Sequence, residues 1–326
     1  MTEQGQPRVE EWPANRKPSA AFAALSCTKL PAYYLMSKAI QLIRTLQIPF
    51  LVLSLLLLTA EAWALRPDRV YHQLPDSVGL AYTAADVQTA DGYRLKTWRF
   101  EPAPAAARHA TVVLAYQDFG NMGYYLHQVK ALHRAGYHVI TFDYRGFGQS
   151  ADFPLNPAQL YYPEFAEDLR AVVHAARQLW PRQPLGVFAL SMGTIPAATV
   201  AAGREVDFLV AEGFVADPQA MVRSVKQAKN KDVLLPATAA QYPALLPKIK
   251  CPMLVFAGSQ DAFTPLADSR QLVAQGRRRE LVEFAGGHLG GFEALSPQPL
   301  AYATFGDLYV ARITGFLQAR GFIRTS

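Results

Sequence analysis

Cysteine is almost absent from this sequence, which contains only Cys27 and Cys251. Cys27 lies ahead of a segment that we expect to be removed, so the mature chain could form no internal disulfide. A disulfide-stapled scaffold is therefore excluded, and the fold must depend on its core. Cys251 stands at the head of an apolar run, which favours a place in the core over a reactive thiol.

Charged residues are also few, at 18% of the sequence, and 32 basic against 26 acidic residues leave a formal net charge of +6. That excess is too small and too dispersed to indicate a nucleic-acid partner. Apolar residues make up 51% of the 326 residues, which is enough to bury one large core. We expect a single domain over residues 65–326.

Sequence patterns for metal and phosphate sites are missing as well. Six of the seven histidines show no ligand spacing with cysteine or acidic residues; they are His72, His109, His127, His133, His138 and His174. The stretch RGFGQS follows the wrong strand for a phosphate-binding loop and lacks its lysine. We expect neither a metal nor a cofactor.

An uncharged apolar run, LQIPFLVLSLLLLTA, occupies residues 46–60. Lys38 and Arg44 precede it, and Ala62 and Ala64 form an Ala-x-Ala cleavage site after it, which is the pattern of a secretory signal peptide. We predict that residues 36–64 are this signal peptide, which implies export to the periplasm or the exterior. Residues 1–35 show no periodicity and are interpreted as a doubtful upstream extension, so Met36 is the expected start.

The alternative is an uncleaved N-terminal membrane anchor. Spanning a bilayer takes about 18 or more apolar residues, and the run over 46–60 is shorter. Its length therefore favours cleavage, and a membrane partner is expected only if residues 46–60 remain as an anchor.

Beyond residue 64 the apolar pattern predicts strands and helices in alternation. Asp91-Gly92 separates two alternating runs, which indicates an antiparallel hairpin. Six apolar runs then alternate with helical stretches, notably 124–134 and 163–180; the runs are 111–116, 139–142, 185–190, 208–211, 253–257 and 281–284. We predict an α/β fold with a mostly parallel sheet, helices on both faces, and functional residues at the C-terminal ends of its strands.

The stretch GVFALSMGT places Ser191 between the run 185–190 and a helical stretch over 192–202. A sharp strand-to-helix turn exposes the side chain at its apex, and it crowds the residues two before and two after, which must be small. Gly193 satisfies this requirement, and Ala189 stands where glycine is more usual. Ser191 is therefore a candidate nucleophile, although a lone serine before a helix is more often only a cap.

Asp261 and His288 follow the last two predicted strands, in GSQDAFTP and AGGHLGG. A serine, an acid and a histidine thus follow three different strands in the chain order of an α/β-hydrolase triad. His288 would take the proton of Ser191, and Asp261 would hold the imidazole in one tautomer and stabilise its cation. Taken singly, the aspartate would be interpreted as a turn former and the histidine as a loop residue.

Five segments together resemble the α/β-hydrolase superfamily over roughly residues 68–321. They are VITFDYRGFGQS, the segment around Ser191, LVAEGF, IKCPMLVFAGSQDAFTP and the Gly-Gly-His of AGGHLGG. The likeness is greatest to the serine-aminopeptidase-like and membrane-anchored lipase-like branches, which have a small cap domain or none. The resemblance implies a structural role for Glu212 and for the loop formed by Asp143, Tyr144, Arg145 and Gly146.

The sequence departs from this family after the third strand of the fold, where relatives usually carry His-Gly and this chain has Tyr116 and Gln117. That turn usually supplies a backbone N–H to the oxyanion. We expect the N–H of Met192 to be one donor and the N–H of Gln117 or Asp118 to be the second. The Asp118 side chain would then face away from the pocket and cap the helix that starts near Gly123.

The expected function is an exported serine hydrolase that cleaves an ester, thioester or amide through an acyl-enzyme on Ser191, a carboxylic ester foremost. Its partner would be a small-molecule or lipid-like acyl substrate. Two alternatives stay open: an acyltransferase using the same triad, and a catalytically silent hydrolase fold used for binding. The insertion over 215–246, called here the roof segment, is expected to cover the pocket, although an ordinary surface helix would share its pattern.

Overall fold

The computed structural model describes residues 64–324. The predicted upstream extension and the predicted signal peptide up to residue 63 lie outside these residues, and both stay predictions. Residues 64–324 lie within one compact unit. Within residues 64–324, no helix is both long enough and apolar enough to cross a membrane.

Ten strands are present in the described chain. In order they are β1 Arg66–Pro67, β2 Thr83–Gln88, β3 Arg94–Phe100, β4 Thr111–Ala115, β5 Phe119–Gly120, β6 His138–Phe142, β7 Leu185–Leu190, β8 Phe208–Glu212, β9 Met253–Gly258 and β10 Arg279–Phe284. Eight of them form the central sheet in the order β10-β9-β8-β7-β4-β6-β3-β2, and β1 pairs with β5 beside it.

The predicted mixed sheet is confirmed. β2 and β3 form the antiparallel hairpin, and β3 joins the rest of the sheet by an antiparallel pairing with β6. All other neighbours in the sheet run parallel. Every residue of β4, β6, β7, β8 and β9 is buried, which explains why these strands are continuous apolar runs in the sequence.

Seven α-helices connect or flank these strands in the described residues. They are α1 Leu126–Arg134, α2 Tyr162–Leu179, α3 Thr194–Ala202, α4 Pro218–Lys229, α5 Leu266–Ala274, α6 Gly291–Ala294 and α7 Asp307–Ala319. Short 3-10 helices precede α1 (Met122–Tyr125) and α3 (Ser191–Gly193), and a longer one, Ala237–Lys248, ends at the turn into β9. Because the parallel strands run in the same direction, their C-terminal ends lie at the same edge of the sheet, where side chains from separate strands can meet.

Cys251 lies two residues before β9 and is half-buried. Burial raises the pKa of its thiol to about 11. Little thiolate exists at neutral pH under those conditions, so the thiol is a poor nucleophile.

Candidate active site

Ser191 lies at the sharp turn between β7 and α3. Its φ is 50°, in the left-handed region that side chains other than glycine rarely adopt. The turn is tight enough that a Cβ on Gly193 would lie 2.3 Å from the carbonyl oxygen of Ala115. Ala189, on the other side of the serine, is fully buried. The requirement for small residues on both sides therefore has a direct steric cause.

The structure brings Ser191, His288 and Asp261 together from three strand ends. The Ser191 hydroxyl donates to Nε2 of His288 with Oγ and Nε2 2.7 Å apart. Nδ1 of His288 donates to Oδ2 of Asp261 at 2.7 Å. This chain of hydrogen bonds is the arrangement in which an imidazole can accept a hydroxyl proton while a carboxylate fixes its tautomer.

Asp261 is buried at the end of β9, and it is surrounded by donors. The backbone N–H groups of Phe263 and Thr264 donate to Oδ1 at 2.8 and 3.0 Å, and the Thr264 hydroxyl donates to Oδ2 at 2.7 Å. Burial by itself raises the pKa of this carboxyl, but the hydrogen bonds from His288 and Thr264 outweigh it and hold the pKa below its usual value. Asp261 is therefore ionised at neutral pH.

A buried carboxyl also supports the loop that carries His288. Oε1 of Glu212, at the end of β8, accepts the N–H of Gly291 at 2.7 Å. Burial raises the pKa of Glu212. The next residue, Gly213, has φ 62° and passes so close to the imidazole that a Cβ there would lie 2.8 Å from Cε1 of His288. Glu212 and Gly213 thus fix the position of the histidine.

The segment 116–123, called here the oxyanion loop, is anchored by Asp143. Oδ1 of Asp143 accepts the N–H of Met122 at 2.8 Å and the hydroxyl of Tyr116 at 3.2 Å. Its Oδ2 accepts the hydroxyl of Tyr71 and, at 3.3 Å, the N–H of Gln149. One buried carboxyl therefore joins both ends of the loop to the turn after β6, and burial raises its pKa.

The next residues of the Asp143 turn have their own partners. The Tyr144 hydroxyl donates to the carbonyl of Tyr116 at 3.3 Å. Nε of the buried Arg145 donates to Asp168 at 2.8 Å, and its Nη1 donates to Asp91 in the β2–β3 hairpin at 2.6 Å. These contacts tie the turn to the sheet and place no charged group of Arg145 at Ser191.

Asp118 does not cap the helix that follows the oxyanion loop, contrary to the prediction. Asn121 holds that position, and its side-chain oxygen accepts the N–H of Gly123 at 3.0 Å. Asp118 instead lines the cavity beside Ser191 together with Gln117. Burial raises the pKa of the Asp118 carboxyl, opposed by its own backbone N–H and by His288. The Asp118 carboxyl therefore lies beside the cavity, although the sequence predicted that it faces away from the pocket.

The cavity at Ser191 has a volume of about 140 Å³. Its lining includes Ser191, Met192 and His288 at one side and six residues of the roof segment at the other; the six are Val215, Met221, Val225, Lys229, Lys231 and Val233. In the described part of the chain, no cluster of three His, Cys, Asp or Glu residues is arranged to hold a metal ion.

Three residues of the site were not identified from the sequence. Thr264 hydrogen-bonds Asp261, and Phe263 packs edge-on to His288 with ring centroids 5.3 Å apart. Both stand directly after the aspartate in QDAFTP, so proximity to a candidate acid is the signal that would have found them. Ala64 lines the cavity from the other end of the chain, and no local pattern indicates that contact.

Comparisons with known proteins agree with this geometry. The family model described as serine aminopeptidase, S33, matches residues 107–217. An uncharacterised protein of Mycobacterium tuberculosis is 27% identical over 194 residues, which are 58% of this chain and 65% of that protein. An uncharacterised protein of Escherichia coli K12 is 30% identical over 131 residues, which are 39% of this chain and 42% of that protein. The match spans less than two thirds of either relative.

The fold recurs in solved structures. A Pyrococcus furiosus esterase superposes with a TM-score of 0.62 at 19% identity, covering 78% of this chain and 99% of that one. Sheet order and the strand-to-helix turn at Ser191 define the α/β-hydrolase fold, as the motifs predicted. Residues 107–217 match the family model of the serine aminopeptidases.

Proposed function

We propose that the protein is a serine hydrolase that cleaves an ester, thioester or amide, with a carboxylic ester as the foremost substrate class. The observation that carries the proposal is the continuous hydrogen-bond chain from Ser191 through His288 to Asp261. Ser191 attacks the carbonyl carbon while Nε2 of His288 takes the hydroxyl proton. His288 then returns that proton to the leaving group, and water attacks the acyl-enzyme by the same route in reverse.

The oxyanion formed during attack needs two N–H donors. Among residues 64–324, the N–H groups of Met192 and Gln117 donate to no protein acceptor. Both residues line the cavity beside Ser191. Their unpaired N–H groups favour Met192 and Gln117 as the donors.

Asp118 is the weaker candidate for the second donor. Its carbonyl accepts the N–H of Arg66 at 2.8 Å, which holds the loop against β1. The negative charge of its own carboxylate is close to its N–H, and a second negative charge at that N–H weakens it as an oxyanion donor.

The test is labelling with a fluorophosphonate, which reacts only with an activated serine. The native protein should be labelled, and Ser191→Ala should abolish labelling and lower kcat on a nitrophenyl ester by about 10⁶. Ser269→Ala, at a buried serine of α5 away from the cavity, is the matched control and should stay labelled. A native protein that resists the probe would favour the silent binding fold instead.

We also propose export with removal of residues 36–64, on the pattern of Lys38, Arg44, the apolar run and Ala62-x-Ala64. Cleavage would make Leu65 the first residue and would remove Ala64 from the cavity lining. Its N–H donates to the carbonyl of Pro157 at 2.9 Å, a contact that an N-terminal ammonium can keep. N-terminal sequencing of protein from the native host tests this, and an uncleaved chain in the membrane fraction would favour the anchor.

A further inference from the structure

The roof segment carries four cations in two different settings. Arg223 and Lys226 lie on α4 and face carboxylates outside the cavity, with Arg223 4.0 Å from Asp217 and Lys226 2.8 Å from Asp232. Lys229, at the end of the same helix, and Lys231 line the cavity instead. No carboxylate among the described residues lies within 4.0 Å of either ammonium.

The position of Lys229 relative to the triad follows from two ring contacts. Its Nζ lies 4.5 Å from the centre of the Phe263 ring, and that ring packs edge-on to His288 at 5.3 Å. The ammonium is thus at the mouth of the site, above the aromatic side chain that flanks the histidine. An ammonium on the face of an aromatic ring keeps its remaining donors free for an anion.

The carboxyls near the cavity do not cancel these two cations. Asp261 is already committed to His288 and Thr264. Asp118 is the one carboxyl in the lining, and its single charge interacts with both Lys229 and Lys231. Two ammonium groups therefore face one partly buried carboxyl across the space where a substrate group would lie.

The size of the cavity limits what that group can be. Its volume is about 140 Å³, and a protein cavity of about 150 Å³ holds benzene. The space therefore takes roughly six non-hydrogen atoms. Apolar side chains such as Met221, Val225 and Val233 line the rest of it, so a short carbon chain ending in a charge fits better than a long acyl chain.

We infer that the substrate is a short ester, thioester or amide whose group under the roof segment carries a negative charge, recognised by Lys229 and Lys231. This inference rests on the proposed hydrolase function. The recognised group is a carboxylate or another small anion, and it belongs either to the acyl part or to the leaving group.

Two ester pairs distinguish the two sources. The acyl pair is the mono-4-nitrophenyl ester of glutaric acid against its methyl ester, and the leaving-group pair is the butyrate ester of 4-hydroxybenzoate against that of 4-hydroxybenzamide. The readout is the ratio of kcat/KM for the charged ester to that for the neutral one, with the Ser191→Ala rate subtracted as background. Intrinsic ester reactivity cancels when this ratio is compared between two forms of the protein.

The variant is Lys229→Met with Lys231→Met, which keeps most of each apolar stem. Its matched control is Arg223→Met with Lys226→Met, which removes the same charge from the same segment outside the cavity. For at least one pair, the ratio should fall about fivefold to tenfold in the first double variant and stay within twofold of native in the control. The pair that responds identifies the side of the scissile bond that carries the charge.

Two results would overturn the inference alone. In one, both ratios are unchanged in the Lys229/Lys231 variant while the native protein hydrolyses the neutral esters and is labelled by the fluorophosphonate. In the other, the control variant lowers the ratio equally, which would show a general effect of surface charge. A native protein that neither takes the label nor hydrolyses any of the four esters would overturn the proposed function together with this inference.

Discussion

The two sides of the cavity are held in different ways. On the triad side, Ser191, His288 and Asp261 act through side-chain atoms, and each is fixed by direct hydrogen bonds of 2.7 Å. On the oxyanion-loop side, backbone N–H groups are the proposed donors to the oxyanion. The side chains of Gln117 and Asp118 take no part in that donation. The loop is anchored from outside by Asp143, and its own Asn121 donates to the carbonyl of Val70 at 2.7 Å.

This difference predicts where substitutions matter. On the triad side a change of one side chain removes a reacting or orienting atom. On the loop side a change of Gln117 or Asp118 leaves the backbone in place, whereas a change of an anchor such as Asp143 moves it. Effects should therefore be largest at the triad, intermediate at the anchors and smallest at the loop's own side chains.

Asp261→Asn should give the largest effect among orienting residues. The amide cannot hold the imidazole in the tautomer that accepts the Ser191 proton, so kcat should fall by about 10⁴ while the protein stays folded. Steady-state kinetics measures kcat, and circular dichroism shows whether the variant is folded. Asp268→Asn, in α5 and outside the Ser191 cavity, is the matched control. Full activity in Asp261→Asn would mean that another residue is the acid.

Gly193→Ala should break the contact between the two sides. The added Cβ would lie 2.3 Å from the carbonyl oxygen of Ala115, so the turn after β7 and the oxyanion loop must separate. Loss of one oxyanion donor costs about 10² to 10³ in kcat, and a similar loss is expected here. Gly315→Ala, where a Cβ meets nothing within 4 Å, controls for the added methyl group. Unchanged kcat would show that the loop does not depend on this close approach.

The contrast also explains how much of the molecule could be predicted. The sheet and the triad residues follow from local pattern, because buried parallel strands are apolar runs and the residues after them meet at one edge. Gly193 was predictable for the same reason, since the tight turn leaves no space for a side chain. The direction of Asp118 was predicted wrongly, because Asn121 competes for the same cap and no local rule ranks the two. The contact of Ala64 with the cavity depends on distant packing, which local sequence does not encode.

Asp143→Asn tests the anchor of the loop side. The amide can accept at only one atom, so the two donors on the other atom lose their acceptor: either Tyr71 and Gln149, or Tyr116 and Met122. A buried donor left without a partner costs about 1–3 kcal/mol of unfolding free energy, and a displaced loop could lower kcat by up to about 10². Measuring both Tm and kcat distinguishes a structural role of Asp143 from a role in positioning the loop. A purely structural anchor would lower Tm and leave the kcat of the folded fraction at the native value. Asp152→Asn, at an exposed aspartate, is the control.

Asp118→Asn should have the smallest effect on neutral esters. The carboxyl lines the cavity, but the proposed donors are backbone groups, so kcat for a neutral ester should change by less than about threefold. A tenfold faster variant would show instead that the carboxylate occupies the oxyanion position. Asp232→Asn, on the outer side of the roof segment, provides the comparison.

The pH dependence of Asp118→Asn gives a further test of the charge on the oxyanion-loop side of the cavity. Because burial raises the pKa of Asp118, its carboxyl takes up a proton at a higher pH than an ordinary aspartate. Lowering the pH through that pKa removes a negative charge from the cavity, so the native ratio of kcat/KM for a charged over a neutral ester should rise as the pH falls. Asp118→Asn should show the higher ratio at every pH and lack the step. Any pH dependence that is common to the two esters cancels in the ratio. A native ratio that does not change with pH, with no offset in Asp118→Asn, would place the Asp118 charge away from the bound substrate.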